Sequence, residues 1–227
     1  MTGAEDRPDP GEGETDIART LARVDHIVLA TPDVDDTADR LTTTLGVRAV
    51  AGGKHPQWGT RNALIALGAG VYLEIIGPDL HALPEEPPRP FGLDTLSVPR
   101  LATWAVRGRA LEALLGQARA SGVELGEIQR RTRRRPDGVL LGWSMTELEA
   151  ARADGIIPFF IDWGATPHPA ATAPRGGTLV RLRARHPDAA GVREMLRSLG
   201  LAIDVEPGDA PELIATLETR RGEFELR

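Results

Sequence analysis

Apolar and polar positions along the chain recur in one order three times. The runs VDHIVLAT (24–31), LATWAVRG (101–108) and TLVRLRAR (178–185) are short, apolar and strand-like. Amphipathic stretches follow each, predicting helices over roughly 34–45, 109–121 and 188–199. Leu111, Leu114, Leu115 and Ala118 form an apolar stripe at helical spacing, as do Val192, Met195, Leu196 and Leu199. Each stretch ends at a glycine, at Gly46, Gly122 and Gly200. Glycine adopts the left-handed conformation that closes a helix. Further strand candidates then follow: VRAVAGG, RNALIALG and VYLEIIG in the first unit, ELGEIQRRTR, GVLLGWSM and IIPFFIDWG in the second, and AIDVEP, ELIATLET and EFELR in the third. The near-equal spacing of the three glycines predicts an α+β protein of repeated β-α-β-β-β units, with a shorter third unit at the C-terminus.

Pro- and Gly-rich joints separate the units: GPDLHALPEEPPRPFG after the first and GATPHPAATAPRGG after the second. TELEAARADG (146–155) is helical in composition and reads as an insertion before the last strand of unit two. The expected organisation is a flexible tail over 1–17, a paired-unit domain over 18–168 and the third unit over 176–227. The tail, MTGAEDRPDPGEGETDI, is too polar to offset its ordering entropy.

Composition narrows the chemistry. Hydrophobic residues are 41% of the 227, enough for a sizeable core, and the net charge of −6 argues against a general nucleic-acid binder. Without cysteine there is no disulfide scaffold, thiolate metal site or cysteine nucleophile. The first twenty residues lack the apolar run of a signal peptide, and no apolar stretch reaches the ~18 residues of a membrane span, so a cytoplasmic location without membrane contact is expected. Neither a Walker-type loop nor a dinucleotide-binding glycine pattern occurs, so nucleotide cofactors have no support.

His26 stands inside the first strand, either as a packed core histidine or with a ring nitrogen facing a pocket. Alternation places Val24, His26, Val28 and Ala30 on one face, and Tyr72, Glu74 and Ile76 on one face of the strand that ends unit one. A buried carboxylate needs a partner. A His26–Glu74 pair across neighbouring strands would satisfy both, as would a metal.

Paired units with a histidine on the first strand and a glutamate on the last resemble the vicinal oxygen chelate superfamily, in particular its glyoxalase-like domain branch. The stretches VDHIVLATPDVDDTADRL, GGKHPQWGTRNALIALG with VYLEIIGPD, and PDGVLLGWSMT with IIPFFIDWG carry the resemblance over most of residues 22–168. It implies a curved, barrel-like sheet built from two units, with a small-molecule site on its concave face. It also implies a divalent metal (Fe, Zn, Mn or Ni) held by residues such as His26 and Glu74, with His55 as a third ligand or an acid/base. In unit two the counterparts depart from that pattern. The helix-exit offset sets Ala102 or Thr103 against His26, and the shared glycine sets Ile161 against Glu74, so the ligand set is incomplete.

Five arginines lie within 130–135, and Arg131, Arg133 and Arg135 share a face if the segment is a strand. Guanidinium suits planar anions, so Arg131 and Arg133 are candidates for binding an anionic substrate, while an exposed edge strand is the plainer reading. Unit two also concentrates the aromatics, making Trp143, Phe160 and Asp162 candidate wall and anchor residues of a pocket. Asn62 joins them, although bonding backbone at a strand start is the commoner role. His168 and His81, in the joints, are expected to be solvated. Two functions follow. One is a lyase, isomerase or dioxygenase acting, with a metal or by proton transfer, on an oxygenated, anionic small molecule. The alternative is a non-catalytic protein that sequesters such a compound. The third unit is expected to cover the barrel or to pair with its copy in a homodimer.

Overall fold

The computed structural model describes residues 10–68, 70–82, 88–135, 137–148 and 153–227. Its first two units close into one eight-stranded barrel. Unit one comprises β1 (Val24–Ala30), α2 (Val34–Leu45), β2 (Val50–His55), β3 (Thr60–Ala66) and β4 (Tyr72–Pro78). Unit two comprises β5 (Arg100–Arg107), α3 (Leu111–Ala120), β6 (Ile128–Arg134), β7 (Leu140–Thr146) and β8 (Phe159–Asp162). Around the barrel the strands run β1-β4-β3-β2-β6-β7-β8-β5. The first strand of each unit lies parallel to its last, β1 to β4 and β5 to β8. The units join along two seams, a long antiparallel β1–β5 pairing and a short β2–β6 contact at Lys54 and Arg134.

Local chemistry sets the helix limits. Asp33 caps α2 by accepting from the backbone N–H groups of Asp35 and Asp36, and Gly46 closes it with φ 72°. Gly122 and Gly200 have positive φ as well, which explains why the three exits look alike in sequence. The helix α1 (Pro10–Arg23) takes in residues 10–17, which composition assigns to a flexible tail. The helix is fastened to the rest of the protein near its C-terminal end. The Thr20 hydroxyl accepts from Ala202 N–H, and the Arg23 guanidinium donates to the Gly200 carbonyl. Of the expected insertion at 146–155, residues 149–152 lie outside the described residues, Thr146 ends β7, and Ala153–Gly155 form a short 3-10 turn.

The third unit, β9 (Thr178–His186), α4 (Ala189–Ser198), β10 (Asp204–Pro207), β11 (Glu212–Thr219) and β12 (Gly222–Leu226), keeps the element order but not the pairing. Here β9 lies between β10 and β11 in a separate sheet ordered β10-β9-β11-β12. Glu225 sits on the edge strand β12, paired with Arg183 and Arg227. Backbone links between this unit and the end of β3 (Gly176 N–H to Ala66 carbonyl, Leu179 N–H to Leu67 carbonyl) fasten the sheet to the barrel.

Two apolar clusters result. The larger joins the outward strand faces to the helices and the second sheet, through residues such as Leu29, Leu41, Trp104, Phe160, Leu182 and Val192. The smaller fills the barrel interior around Val28, Trp58, Ile76, Ala102, Met145, Phe159 and Ile161. No helix among the described residues is long and apolar enough to cross a membrane.

Candidate functional site

A narrow cavity of about 40 Å³ opens within the barrel beside the smaller cluster. Unit one contributes His26, His55, Trp58, Asn62, Tyr72 and Glu74; unit two contributes Arg133, Trp143, Met145, Phe159, Ile161 and Trp163.

His26 Nε2 lies 3.6 Å from Glu74 Oε2. The ring stacks on Tyr72 with centroids 4.5 Å apart and meets Phe159 edge-on. Its Nδ1 lies 2.8 Å from Asp25 Oδ1. A carboxylate only accepts, so Nδ1 carries the hydrogen and Nε2 is left to the cavity. Asp25 is the residue that strand alternation hides. In a regular strand its side chain would point away from that of His26. The β1–β5 register shifts between Val24 and His26, and such a bulge re-aims side chains, here bringing the carboxylate back to the ring.

Asp25 is fully buried and multiply satisfied. Trp163 Nε1 donates to Oδ1 at 3.2 Å, and His168 Nε2 lies 3.0 Å from Oδ2. His168 accepts the Ala170 N–H at Nδ1, so its Nε2 is the hydrogen-bearing nitrogen. The joint that carries His168 thus reaches into the site instead of leaving this histidine solvated. Burial alone would raise the Asp25 pKa, but the bonds from His168 and His26 outweigh it and hold the carboxyl well below the usual carboxylate range.

On the far side of Glu74 a second chain of contacts runs inward. Asn62 Nδ2 donates to Glu74 Oε1, and Arg133 Nη1 donates to Asn62 Oδ1 at 2.9 Å. Gly52 and Gly53 make room for this. A Cβ on Gly52 would collide with Asn62 Oδ1 and Arg133 Nη1, and one on Gly53 would sit 2.7 Å from Arg133 Cγ. His55 closes β2, is buried, and contacts Thr60 Oγ1 through Nδ1 at 3.1 Å. Burial, opposed by Glu74 and aided by the Arg133 charge, pushes its pKa down to about 4, so the ring is neutral at neutral pH. Burial also raises the Tyr72 hydroxyl well above its ordinary value, so it remains protonated.

The remaining candidates divide. Trp143 lines the cavity, tilted against Trp163 at 5.3 Å. Phe160 does not line it. Along β8 the odd-numbered Phe159 and Ile161 face inward, so Phe160 packs in the outer cluster, and Asp162, outside the cavity lining, accepts from Gly164 N–H. Arg131 is absent from the lining and lies over the Trp58 ring at 5.2 Å, behind the wall. Sequence reasoning misses Asp25, Tyr72 and Trp163 as site residues. An acidic residue next to a histidine in an otherwise apolar strand is the available signal for the first.

The donor set does not fit a tightly held divalent ion. Among the described residues no three His, Asp or Glu side chains gather as a metal-binding group. Catalytic zinc and non-haem iron sites use three protein ligands, whereas His26 and Glu74 are two. One Glu74 oxygen is engaged by Asn62, with the Arg133 cation behind it.

Residues 24–200 match the glyoxalase-like domain family. A crystal structure of a hypothetical protein from Staphylococcus aureus shares the fold, with a TM-score of 0.64 at 12% identity over 90% of this chain and 98% of that one. Methylmalonyl-CoA epimerase from Mycobacterium tuberculosis aligns with a TM-score of 0.43 at 19% identity over 67% of this chain and 94% of that one. A variant of Streptomyces coelicolor methylmalonyl-CoA epimerase in complex with 2-nitronate-propionyl-CoA gives 0.45 at 20% identity over 63% of this chain and 98% of that one. Among curated proteins none matches. The barrel, the paired units and the family match together show that this chain belongs to the glyoxalase-like domain family of the vicinal oxygen chelate superfamily.

Proposed function

We propose that the chain is an enzyme that moves a proton on a small carbonyl compound by means of its own side chains. The observation that carries this reading is the line Asp25–His26···Glu74, in which a buried carboxylate orients a ring whose free nitrogen shares the cavity with a second carboxylate.

Glu74 would take the proton from the carbon beside the carbonyl. In the form that carries a second hydrogen on Nε2, His26 would donate it to the carbonyl oxygen as charge develops there, while Asp25 holds the ring through Nδ1. The step leaves a protonated Glu74, a neutral His26 and a bound enol. Return of the proton to the other face or to a neighbouring carbon completes an isomerisation. Asn62 holds the Glu74 carboxylate in place, and the aromatic walls exclude water.

Hydrogen–deuterium exchange tests the proposal whatever the final product is. Small carbonyl acids such as pyruvate and 2-oxobutyrate are incubated with the protein in D₂O and followed by proton NMR. Catalysed exchange is expected, reduced by at least ~100-fold in Glu74→Gln, the low end of general-base contributions. Equal exchange by the wild type and Glu74→Gln overturns the assignment. The wall of Trp58, Trp143, Phe159 and Trp163 favours one rival, a sequestering protein, which would bind these compounds and exchange none of them.

A further inference from the structure

Arg133 is a buried cation with too few partners. The residue is 4% exposed, yet the side-chain hydrogen bonding of its guanidinium among the described residues consists of one N–H to the Asn62 amide. No carboxylate among the described residues lies within 4 Å of it, and Glu74 is reached only across the Asn62 side chain. A guanidinium offers five N–H donors in a planar fork, and a buried charge is costly unless paired. The nearby titratable groups do not fill that role. His55 is held neutral, Tyr72 is held protonated, and the neighbouring Arg135 is itself paired with Asp137.

The placement is built rather than incidental. On β6 the inward-facing Arg133 crosses the short β2–β6 seam, where Gly52 and Gly53 leave the space its chain occupies. The guanidinium then borders two spaces, the barrel cavity and an outer recess of about 220 Å³ lined by Val50, Leu64, Arg135, Asp137, Leu141 and Pro169. The barrel cavity is narrow and walled by flat rings, which suits a planar anion such as a carboxylate better than a tetrahedral phosphate.

We infer that the substrate is a carboxylic acid whose carboxylate pairs with Arg133 inside the barrel cavity, while its carbonyl end lies between His26 and Glu74. The inference rests on the proton-transfer reading and deepens it by naming the substrate class. It stands or falls on binding, which can be measured without turnover.

The test titrates the full chain with benzoate, with benzamide as its uncharged isostere, and with inorganic phosphate, by calorimetry and tryptophan fluorescence. Trp58, Trp143 and Trp163 line the barrel cavity and no tryptophan among the described residues lines the recess, so fluorescence reports which space fills. Expected results are benzoate binding with a fluorescence change, and benzamide and phosphate each at least ~10-fold weaker, the scale of one charge-assisted hydrogen bond. Arg133→Lys and Arg133→Gln should weaken benzoate by at least as much and leave benzamide unchanged. The wild-type benzoate–benzamide comparison stands even if both variants fail to fold. Equal affinity for acid and amide, tighter binding of phosphate, heat without a fluorescence change, or no benzoate binding each overturns the inference. In the wild type, benzoate binding without catalysed exchange counts against the proton-transfer proposal alone, and exchange without benzoate binding counts against this inference alone.

Discussion

Asp25→Asn removes one negative charge and nearly preserves side-chain volume. In the wild type the fully buried carboxylate accepts from His26 Nδ1, Trp163 Nε1 and His168 Nε2 at 2.8, 3.2 and 3.0 Å. Removing one partner of a buried, hydrogen-bonded charge arrangement costs about 3–5 kcal/mol. The amide oxygen keeps a neutral acceptor, and a neutral hydrogen bond contributes about 1 kcal/mol, so a loss of about 2–4 kcal/mol at pH 7 is expected. Urea unfolding followed by tryptophan fluorescence measures it. The sign with pH is set by the direction of the shift. Because the folded-state pKa lies below the ordinary 3.8, the contribution is complete above 3.8 and is lost as pH falls through the folded value. The gap between wild type and variant should therefore narrow below pH 3.8. The same change removes the charged acceptor that orients His26 through Nδ1. One charge-assisted hydrogen bond of about 1.5–3 kcal/mol corresponds to a deuterium-exchange rate about 10- to 150-fold lower. A stability gap within about 0.5 kcal/mol, typical of surface substitutions, or one that is flat with pH, refutes an ionised and paired Asp25.

Three further outcomes follow from the same geometry. The folded-state pKa of His55 is lowered from 6.5 to about 4, so its contribution to stability is whole above pH 6.5 and falls by about 3 kcal/mol as pH drops toward 4. His55→Gln should flatten that segment of the urea–pH profile, and heteronuclear NMR should show a neutral His55 ring at about pH 6. Gly52→Ala puts a methyl group where Asn62 and Arg133 meet, so benzoate affinity should fall by at least ~10-fold, with a loss of about 1–3 kcal/mol from overpacking; an unchanged affinity would show that Arg133 is not held by this seam. A divalent ion at about 100 times its Kd would add about 2.7 kcal/mol. Two donors predict no such gain with Zn²⁺, Mn²⁺ or Ni²⁺, and exchange that survives EDTA, whereas a metal-dependent rise in the urea midpoint lost in His26→Ala contradicts the donor-set argument.

Periodicity controls what is legible in the sequence. The apolar runs and glycine exits mark β1, α2, β5, α3, β9 and α4 to within about two residues, because capping and core burial act on local pattern. Alternation also brings His26 and Glu74 to one cavity and turns Arg133 inward. The features it misses are departures from alternation or long-range contacts. Asp25 reaches His26 only through a bulge, and a bulge is set by pairing with β5, about 80 residues away in the chain. His168 enters the site from a joint whose composition looks solvated. Phe160 and Asp162 have the chemistry of wall and anchor, although the register that aligns Ile161 with Glu74 already turns both away. The third unit shows the remaining gap, because an element order of β-α-β-β-β does not state which strand pairs with which.

The two barrel units have divided a task that a symmetric chelating site would share. Under the proton-transfer proposal, unit one carries the groups that exchange protons or orient them: Asp25, His26, His55, Asn62 and Glu74. Unit two, whose counterpart positions hold Ala102, Thr103 and Ile161, supplies walls in Trp143, Phe159 and Trp163, the Arg133 charge at the cavity, and Arg107, whose Nε lies 3.7 Å from Asp25 Oδ2. With ligands on one side only, a metal loses its enclosure, and the charge balance has to come from the protein itself. It does so along one line, with Asp25 behind His26 and Arg133 behind Asn62 and Glu74. Negative charge backs the proton donor, and positive charge backs the carboxylate that must remain ionised until it accepts a proton. Asp25 fixes the His26 ring through Nδ1 and Asn62 fixes the Glu74 carboxylate, so the protein orients both groups before a substrate enters.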